Sequence, residues 1–426
     1  MADIRPFRAW RFTDKAGRIE ELTCPPYDII CEEQRQAYLA RNPHNIIRLE
    51  LPRDGADPYA EAGETLKRWK QEGILRQDAQ AAFYIYDITF TVEGKPYTVG
   101  GLMAQTHLEE FSKGIVLPHE FTLSKAKEDR FNLMKATHSN FSHIYALYRD
   151  DSGEVESRLA KARKETAPLI EMTDEAGLEH RLWAVTDPVV NEAIRQRLAD
   201  TPFYIADGHH RYETALRYRD YCYEQGMPSG TGADYVMMML VEMSHPGLVV
   251  FPTHRLIRDV PHFDPSLILT ACEAYFNVER GVSVEAVKER LDKAYAAGQK
   301  AFGFYTGGAA AALLILKDPT VMDKFLPDQS PVSRQLDVNV LHTLVLERLM
   351  GIDKENMANQ KNLTYIRDMD EATRGVRDGR YQGCFLMNPT RVEEIRDVAA
   401  AGEKMPQKST YFYPKLITGL TVNSLD

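Results

Sequence analysis

Apolar positions recur along this chain in two alternating rhythms. Tyr59, Ala62, Leu66 and Trp69 are spaced three, four and three residues apart, which predicts one helical face ending near Gly73. The β-rich run Phe83–Phe90 follows, with Tyr84, Tyr86, Ile88 and Phe90 on one face. Together with the Glu93-Gly94-Lys95 turn and Tyr97–Ala104 it predicts a hairpin. Leu108–Asn140 is polar and reads as a loop followed by a helix over Lys125–Ala136, and His143–Tyr148 reads as a short strand. Glu154–Glu165 predicts a solvent-facing helix. Asp187-Pro188 has the form of an N-cap with proline at the first helical position, opening a helix to about Leu198. Pro202–Ala206 is a compact β run feeding a helix from His209 to about Gln225, and Tyr235–Met243 and Leu248–Phe251 are further strands.

Asp264-Pro265 repeats the cap-plus-proline signal. Beyond it, Val284, Val287, Leu291, Ala294 and Tyr295 mark a helix that stops at Gly298. Phe302–Tyr305, a Gly307-Gly308 turn and Leu313–Leu316 predict a second hairpin. Leu341, Leu344, Val345 and Leu349 predict a helix ending at Gly351. A strand over Gly383–Met387, a helix over Val392–Ala401 and a polar-aromatic tail follow. Short strands alternating with helices predict an α+β fold. We expect two units, 1–262 and a C-terminal α/β unit over 263–426, contributing to the same cleft.

Composition narrows the function. The chain has 426 residues, 44% of them apolar and 27% charged, which is ordinary globular usage and excludes a disordered or fibrous chain. The formal charge of −10 comes with no Lys/Arg run, so a broad basic surface for nucleic acid is not expected. The longest apolar stretch, Ala309–Leu316, is far short of the roughly 18–20 residues that cross a bilayer. The N-terminus lacks the basic-then-apolar form of a signal peptide. Five scattered cysteines without a C-x-x-C pair fit a reducing cytoplasm, with neither a disulfide framework nor a structural zinc site. Small-molecule chemistry in the cytoplasm is the expectation, and a homo-oligomer is compatible with it.

The most informative segment is Phe203–Leu216, where a strand meets Asp207-Gly208-His209-His210-Arg211 and a helix begins at once. The first helical N–H groups lack intrahelical acceptors, and the helix dipole adds partial positive charge there. Gly208 allows close backbone approach, His209 and His210 add donors, and Arg211 can grip two oxygens, which together form a phosphate cradle. Asp207 would hold a magnesium ion or orient a hydroxyl; as the plainer alternative it caps the helix. Adjacent histidines point about 100° apart and do not share a metal.

Asp28, just past the rigid Cys24-Pro25-Pro26-Tyr27 elbow, is placed to take a hydroxyl proton or bind an ammonium group, or else it caps the helix near Glu32. His119 and Glu120, followed by Lys127 and Arg130, form a polar stretch suited to a lid or a nucleotide-facing loop; Leu123 and Ser124 make it not H-E-x-x-H. Thr253, His254 and Arg255 follow an apolar strand with hydroxyl, imidazole and guanidinium side by side. Lys408, Ser409, Thr410 and Lys415 would complete a site from the C-terminal unit, or belong to a tail strand docked on the core.

Arg5-Pro6-Phe7-Arg8-Ala9, Pro25-Pro26-Tyr27-Asp28, Asn45–Glu50, His119-Glu120, Asp207–Leu216, Pro252–Leu256 and Lys408–Lys415, in this order, resemble the large prokaryotic domain of unknown function family 1015. The D-G-H-H-R block is also similar to the phosphate-binding turn of the ParB/sulfiredoxin-like fold, and nearest to kinases that phosphorylate free L-serine. The resemblance implies a ParB/sulfiredoxin-like core with large insertions, ATP or ADP with Mg²⁺, and phosphoryl transfer to a small hydroxyl compound such as free L-serine. By that resemblance Gly208, His209, His210 and Arg211 would hold nucleotide phosphates; from the residues themselves, Thr253, His254 and Arg255 are further cofactor-binding candidates, and His119, Glu120 and Arg255 candidates for the opposite wall. Asp207 would serve the metal or substrate, and Asp28, with Glu32 and Glu33 close behind, would stand where the kinases have their glutamate base. Two alternatives remain at this stage: a ParB-like nucleotide-dependent DNA-binding protein, with a helix-turn-helix after the phosphate turn, and a nucleotide-binding regulator without turnover.

Overall fold

The computed structural model describes residues 1–122 and 124–426, with side chains at each of these positions except 124–126. It is a mixed α/β protein whose chain packs as two compact units. The first comprises Met1–Pro118, Thr122–Leu248 and Pro414–Asp426; the second comprises His119–Phe121 and Val249–Tyr413. This partition differs from the expected division at 262/263. The strand His254–Ile257 pairs inside the second unit's sheet, and the last thirteen residues pack with the first unit.

The first unit is built on a nine-stranded sheet. Its strands are β1 (Ile4–Arg5), β2 (Phe83–Val92), β3 (Lys95–His107), β4 (Val116–Leu117), β5 (Ile144–Tyr148), β6 (Ile170–Thr173), β7 (Glu179–Val185), β8 (Phe203–Asp207) and β9 (Tyr235–Glu242). The order is β4-β8-β5-β9-β3-β2-β7-β6, and β1 pairs with β3. The predicted hairpin is β2–β3, with Val92 opposite Lys95 across the turn. Val236–Val241 in β9 are all buried, as expected for a central strand covered on both faces. Among the described residues the segment after Gly226 therefore leads into buried sheet through the short turn Gly232–Asp234, not into a helix-turn-helix.

Helix boundaries follow local chemistry. Pro58–Glu72 starts with Asp57 accepting from the Ala60 N–H at 3.1 Å and stops at left-handed Gly73. Its buried face is Ala62, Leu66 and Trp69, as the spacing predicts. Burying a large apolar side chain stabilises by about 1.5–3 kcal/mol, so this face fixes the helix on the core. Gly63 sits where the helix meets Ser124–Thr137: a Cβ there would lie 2.4 Å from the Ala136 carbonyl oxygen. Glycine costs about 1 kcal/mol of helix propensity, and the close approach of the two backbones requires it. Asp187 caps Pro188–Leu198 by accepting from the Val189 N–H at 2.8 Å.

The second unit carries a six-stranded antiparallel sheet: β10 (His254–Ile257), β11 (Phe276–Ser283), β12 (Ala301–Tyr305), β13 (Ala310–Leu316), β14 (Leu363–Ile366) and β15 (Gly383–Met387), in the order β11-β13-β12-β15-β10-β14. The helix expected through Leu341–Leu349 is only partly α. Asp337–Leu341 is α-helical, and His342–Glu347 continues it as a π-turn, whose wider winding the apolar spacing does not distinguish. All five cysteines are unbridged, and among the described residues no helix is long and apolar enough to cross a membrane.

Candidate functional site

Strand β8 carries a bulge between Ile205 and Asp207 where it pairs with β5, directly before the turn. Bulges re-aim side chains, and this one turns Asp207 out of the regular alternation. Gly208 follows with φ 95° and ψ 26°, a left-handed conformation that favours glycine. The helix His209–Glu224 begins at once, closed by the Tyr212 N–H on the Gly208 carbonyl at 3.0 Å.

Two cations share the Asp207 carboxylate. Lys415 Nζ donates to Oδ1 at 2.6 Å and Arg211 Nη2 to Oδ2 at 2.8 Å. Arg211 Nη1 donates to the His143 carbonyl, and the guanidinium folds back so closely that a Cβ on Gly208 would lie 3.0 Å from its Nε. Burial pushes the Asp207 pKa up, but Lys415 and then Arg211 pull harder, and it stays well below the usual carboxylate range. Burial and the Arg211 charge lower the pKa of His143 to about 3, so this ring is neutral.

A second charged group lies in the same unit. Arg130 donates to the Glu50 backbone carbonyl at 2.6 Å, stands 3.7 Å from its carboxylate, and lays its guanidinium 4.1 Å from the Tyr27 ring centroid. Ser142 donates to Glu50 Oε1 at 2.9 Å. Burial, opposed by Arg130, raises the Glu50 pKa. The fields of Asp207, Asp28 and Glu50 act on Arg211, which joins the two groups into one network. Glu50 belongs to this network, yet sequence reasoning did not single it out. Its signal was faint: a carboxylate in the one-turn helix Ile47–Glu50, whose neighbours Ile47 and Leu49 are buried.

Of the residues predicted for the site, the first unit brings together Asp28, Arg130, Asp207, Gly208, Arg211 and Lys415, with His209 acting electrostatically on Asp207. Asp28 lies exposed in the turn Tyr27–Ile29 and does not cap the next helix, which starts after Cys31. Hydrogen bonds from Gln36, Arg53 and Arg35 lower the Glu32 pKa to about 2, a surface ion-pair arrangement. Glu33 lies exposed on that helix. Lys127 donates to Glu213 at 2.7 Å, on the same helix as His210.

The other predicted residues fall in the second unit. His119 meets the Thr410 hydroxyl at 3.0 Å, Glu120 accepts from the Lys408 N–H, and Ser409 donates to the Pro406 carbonyl at 2.5 Å. Thr253 follows the short strand Val249–Val250, as expected, and leads directly into β10. His254 in that strand accepts from the Met387 N–H at 3.1 Å, and Arg255 is buried. Among the described residues no three His, Cys, Asp or Glu side chains are grouped to hold a metal, and both Asp207 oxygens are already engaged by cations.

The family described as a protein of unknown function (DUF1015) matches residues 4–339. The chain belongs to this family. Curated proteins give no match. Solved structures similar to this DUF1015 chain include a conserved hypothetical protein from Pyrococcus furiosus, 13% identical with TM-score 0.37 over 76% of this chain and 95% of the other. A free serine kinase in complex with AMP is 12% identical with TM-score 0.35, covering 75% and 92%. C-terminally truncated SbnI from Staphylococcus aureus is 11% identical with TM-score 0.35, covering 75% and 87%.

Proposed function

We propose that this protein is a nucleotide-dependent phosphotransferase, with free L-serine as the first acceptor to test. The observation that carries the reading is the turn at Gly208: a left-handed glycine opens a 16-residue helix while Arg211 and Lys415 gather on Asp207 beside it. Phosphoryl transfer depends on positioning and charge neutralisation, and a helix start with two cations supplies both. The ParB/sulfiredoxin-like reading of the core is part of this proposal, as is work in the cytoplasm.

In this scheme the acceptor hydroxyl oxygen attacks the terminal phosphorus of ATP or ADP, and the bond from that phosphorus to the bridging oxygen breaks. The hydroxyl proton passes to Asp28, and the shortened nucleotide leaves. Arg211, His209 and His210 hold phosphate oxygens, and Asp207 is a positioning residue that keeps Arg211 and Lys415 in place. Glu50 keeps Arg130 beside Tyr27. Mg²⁺ would come with the nucleotide, since Asp207 is taken up by its cations. The exposed Asp28 and the field it exerts on Arg211 fit a nucleotide's phosphates and an acceptor between them.

The test is incubation with ATP or ADP, Mg²⁺ and a panel of amino acids, read by ³¹P NMR for a new phosphomonoester. Phosphoserine formed at a rate that falls in Arg211→Lys supports the proposal. Nucleotide binding without product favours the regulator, and neither binding nor product rejects the nucleotide site. The buried strand after Gly226 weighs against the DNA-binding alternative.

A further inference from the structure

The second unit holds a cavity of about 410 Å³ that the phosphotransferase reading does not use. Its lining includes the apolar Phe121, Leu326 and Met357 and the polar His342, Thr343, Asn339 and Gln329. Lys354, Lys404 and Glu347 bring charge to its lining, and Tyr365 completes the wall behind them. At this size, with mixed lining and a few convergent polar groups, it has the form of a small-molecule site.

A buried cation stands behind that wall. Arg255 is 1% exposed, and its guanidinium carbon lies 5.2 Å from the Tyr365 ring centroid. Its Nε donates to His342 Nε2 at 3.3 Å and its Nη1 to the Thr253 carbonyl, while Nη2 is buried with no hydrogen-bond partner among the described residues. Because arginine only donates, His342 must accept through Nε2, so a neutral ring keeps its proton on Nδ1. Burial and the Arg255 charge hold the His342 pKa well below its ordinary value, consistent with that tautomer. Glu120 acts electrostatically on Arg255, and Lys404 lies 5.6 Å from the Phe121 ring centroid.

His342 also opens the π-turn through Glu347. In an α-helix, five steps turn about 500°, which sets a side chain five positions on about 140° away from the first. In a π-turn the hydrogen bonds run from residue i to i+5, so His342 and Glu347 follow one another along the helix, and both line the cavity. Such turns recur at functional sites. The lining carries two cations, Lys354 and Lys404, against Glu347, and Arg255, with an unused donor, stays buried behind it.

We propose that this cavity binds a small organic anion, its carboxylate or phosphate head met by His342, Lys354 and Lys404 and its apolar part by the apolar lining residues Phe121, Leu326 and Met357. The proposal is independent of nucleotide chemistry at Gly208, because every residue in it belongs to the second unit. The test is calorimetric titration of the full chain, without nucleotide, with phenyl phosphate, benzoate and neutral benzyl alcohol. At least one anion should bind saturably, about tenfold or more tighter than benzyl alcohol, and added salt should weaken it. Tighter phenyl phosphate identifies a phosphate head, and tighter benzoate a carboxylate. Lys354→Met and Lys404→Met together should weaken the anion about tenfold, while Arg211→Lys leaves it unchanged. His342→Gln should weaken it as well, and the lysine pair keeps the test valid if that variant fails to fold. No saturable anion binding up to about 1 mM, equal binding of benzyl alcohol, or binding lost in Arg211→Lys but kept in the lysine pair would each overturn the proposal.

Discussion

Lys415 Nζ reaches Asp207 Oδ1 at 2.6 Å across 208 positions of sequence. The carboxylate that ends a central-sheet strand is thus shared between a nearby arginine and a lysine from the last thirteen residues. Both cations are mostly shielded from water, their side chains 11% and 12% exposed. In such surroundings the carboxylate is the counter-charge that allows two positive groups to stand beside a helix start.

Asp207→Asn should therefore destabilise the chain by about 3–5 kcal/mol, because it leaves the buried Arg211 unbalanced. Lys415→Met removes one of two partners and should cost less, about 1.5–3 kcal/mol. Urea unfolding followed by tryptophan fluorescence checks the order; an Asn variant as stable as the parent would remove Asp207 from the role of counter-charge.

Gly208→Ala should cost about 1–2 kcal/mol. The cost is that of a side chain at φ 95°, and the added Cβ would also press on the Arg211 guanidinium. The same melt measures it. A variant at parental stability would mean that the turn readily adopts another conformation.

On the proposed reaction, Arg211→Ala should lose about 2.7–4 kcal/mol of transition-state stabilisation, a hundredfold to thousandfold in rate. Asp28→Asn should lower kcat about a hundredfold to ten-thousandfold with little change in nucleotide KM. Glu50→Gln should act mainly through the placement of Arg130, so its loss appears in KM. Steady-state rates in which Asp28→Asn stays at the parental kcat would reassign the base.

Acid should begin to destabilise the protein just below pH 6.5. Burial, with Arg211, lowers the pKa of His143 to about 3; burial, with Arg255, lowers that of His254 to about 4 and that of His342 well below its ordinary value. The unfolded chain then binds more protons than the native one as pH falls. Their stabilisation is complete above about 6.5 and is lost as pH falls toward the native values. At pH 5 each histidine should cost up to about 2 kcal/mol. Asp337, raised to about 6 by burial against the opposing charge of Lys300, works in the other direction. Its native form holds a proton over roughly pH 4–6, which offsets part of the loss. Urea titrations at pH 7.5 and 5 should show a smaller loss in His254→Asn than in the parent; equal losses would mean that native His254 is already protonated at pH 5.

What was legible in the sequence was local. Tyr59 through Gly73 gave its helix by spacing and stop, and Phe83–Ala104 gave its hairpin by β-rich runs around Gly94. Asp207-Gly208-His209 gave the strand–turn–helix because each of its signals lies within a few residues. What stayed hidden depends on partners far along the chain. Nothing near Lys415 points to Asp207, and Glu50 gains its importance only through Arg130 and Ser142. Glu179–Val185 and Phe276–Ser283 carry too many polar residues to read as strands alone, and they are held by pairing with Phe83–Thr89 and Ala310–Leu316. The π-turn His342–Glu347 escaped because its apolar spacing suits α and π winding alike.

The return of Pro414–Asp426 to the first unit also gives synthesis a direction. As the ribosome delivers residues from the N-terminus onward, Asp207 emerges early with Arg211 alone, and the short strand Ser139–Asn140 waits for Asn423–Ser424. The whole second unit is made before either partner arrives. A chain halted between Arg211 and Pro414 therefore lacks both the lysine partner of Asp207 and the strand partner of Ser139–Asn140.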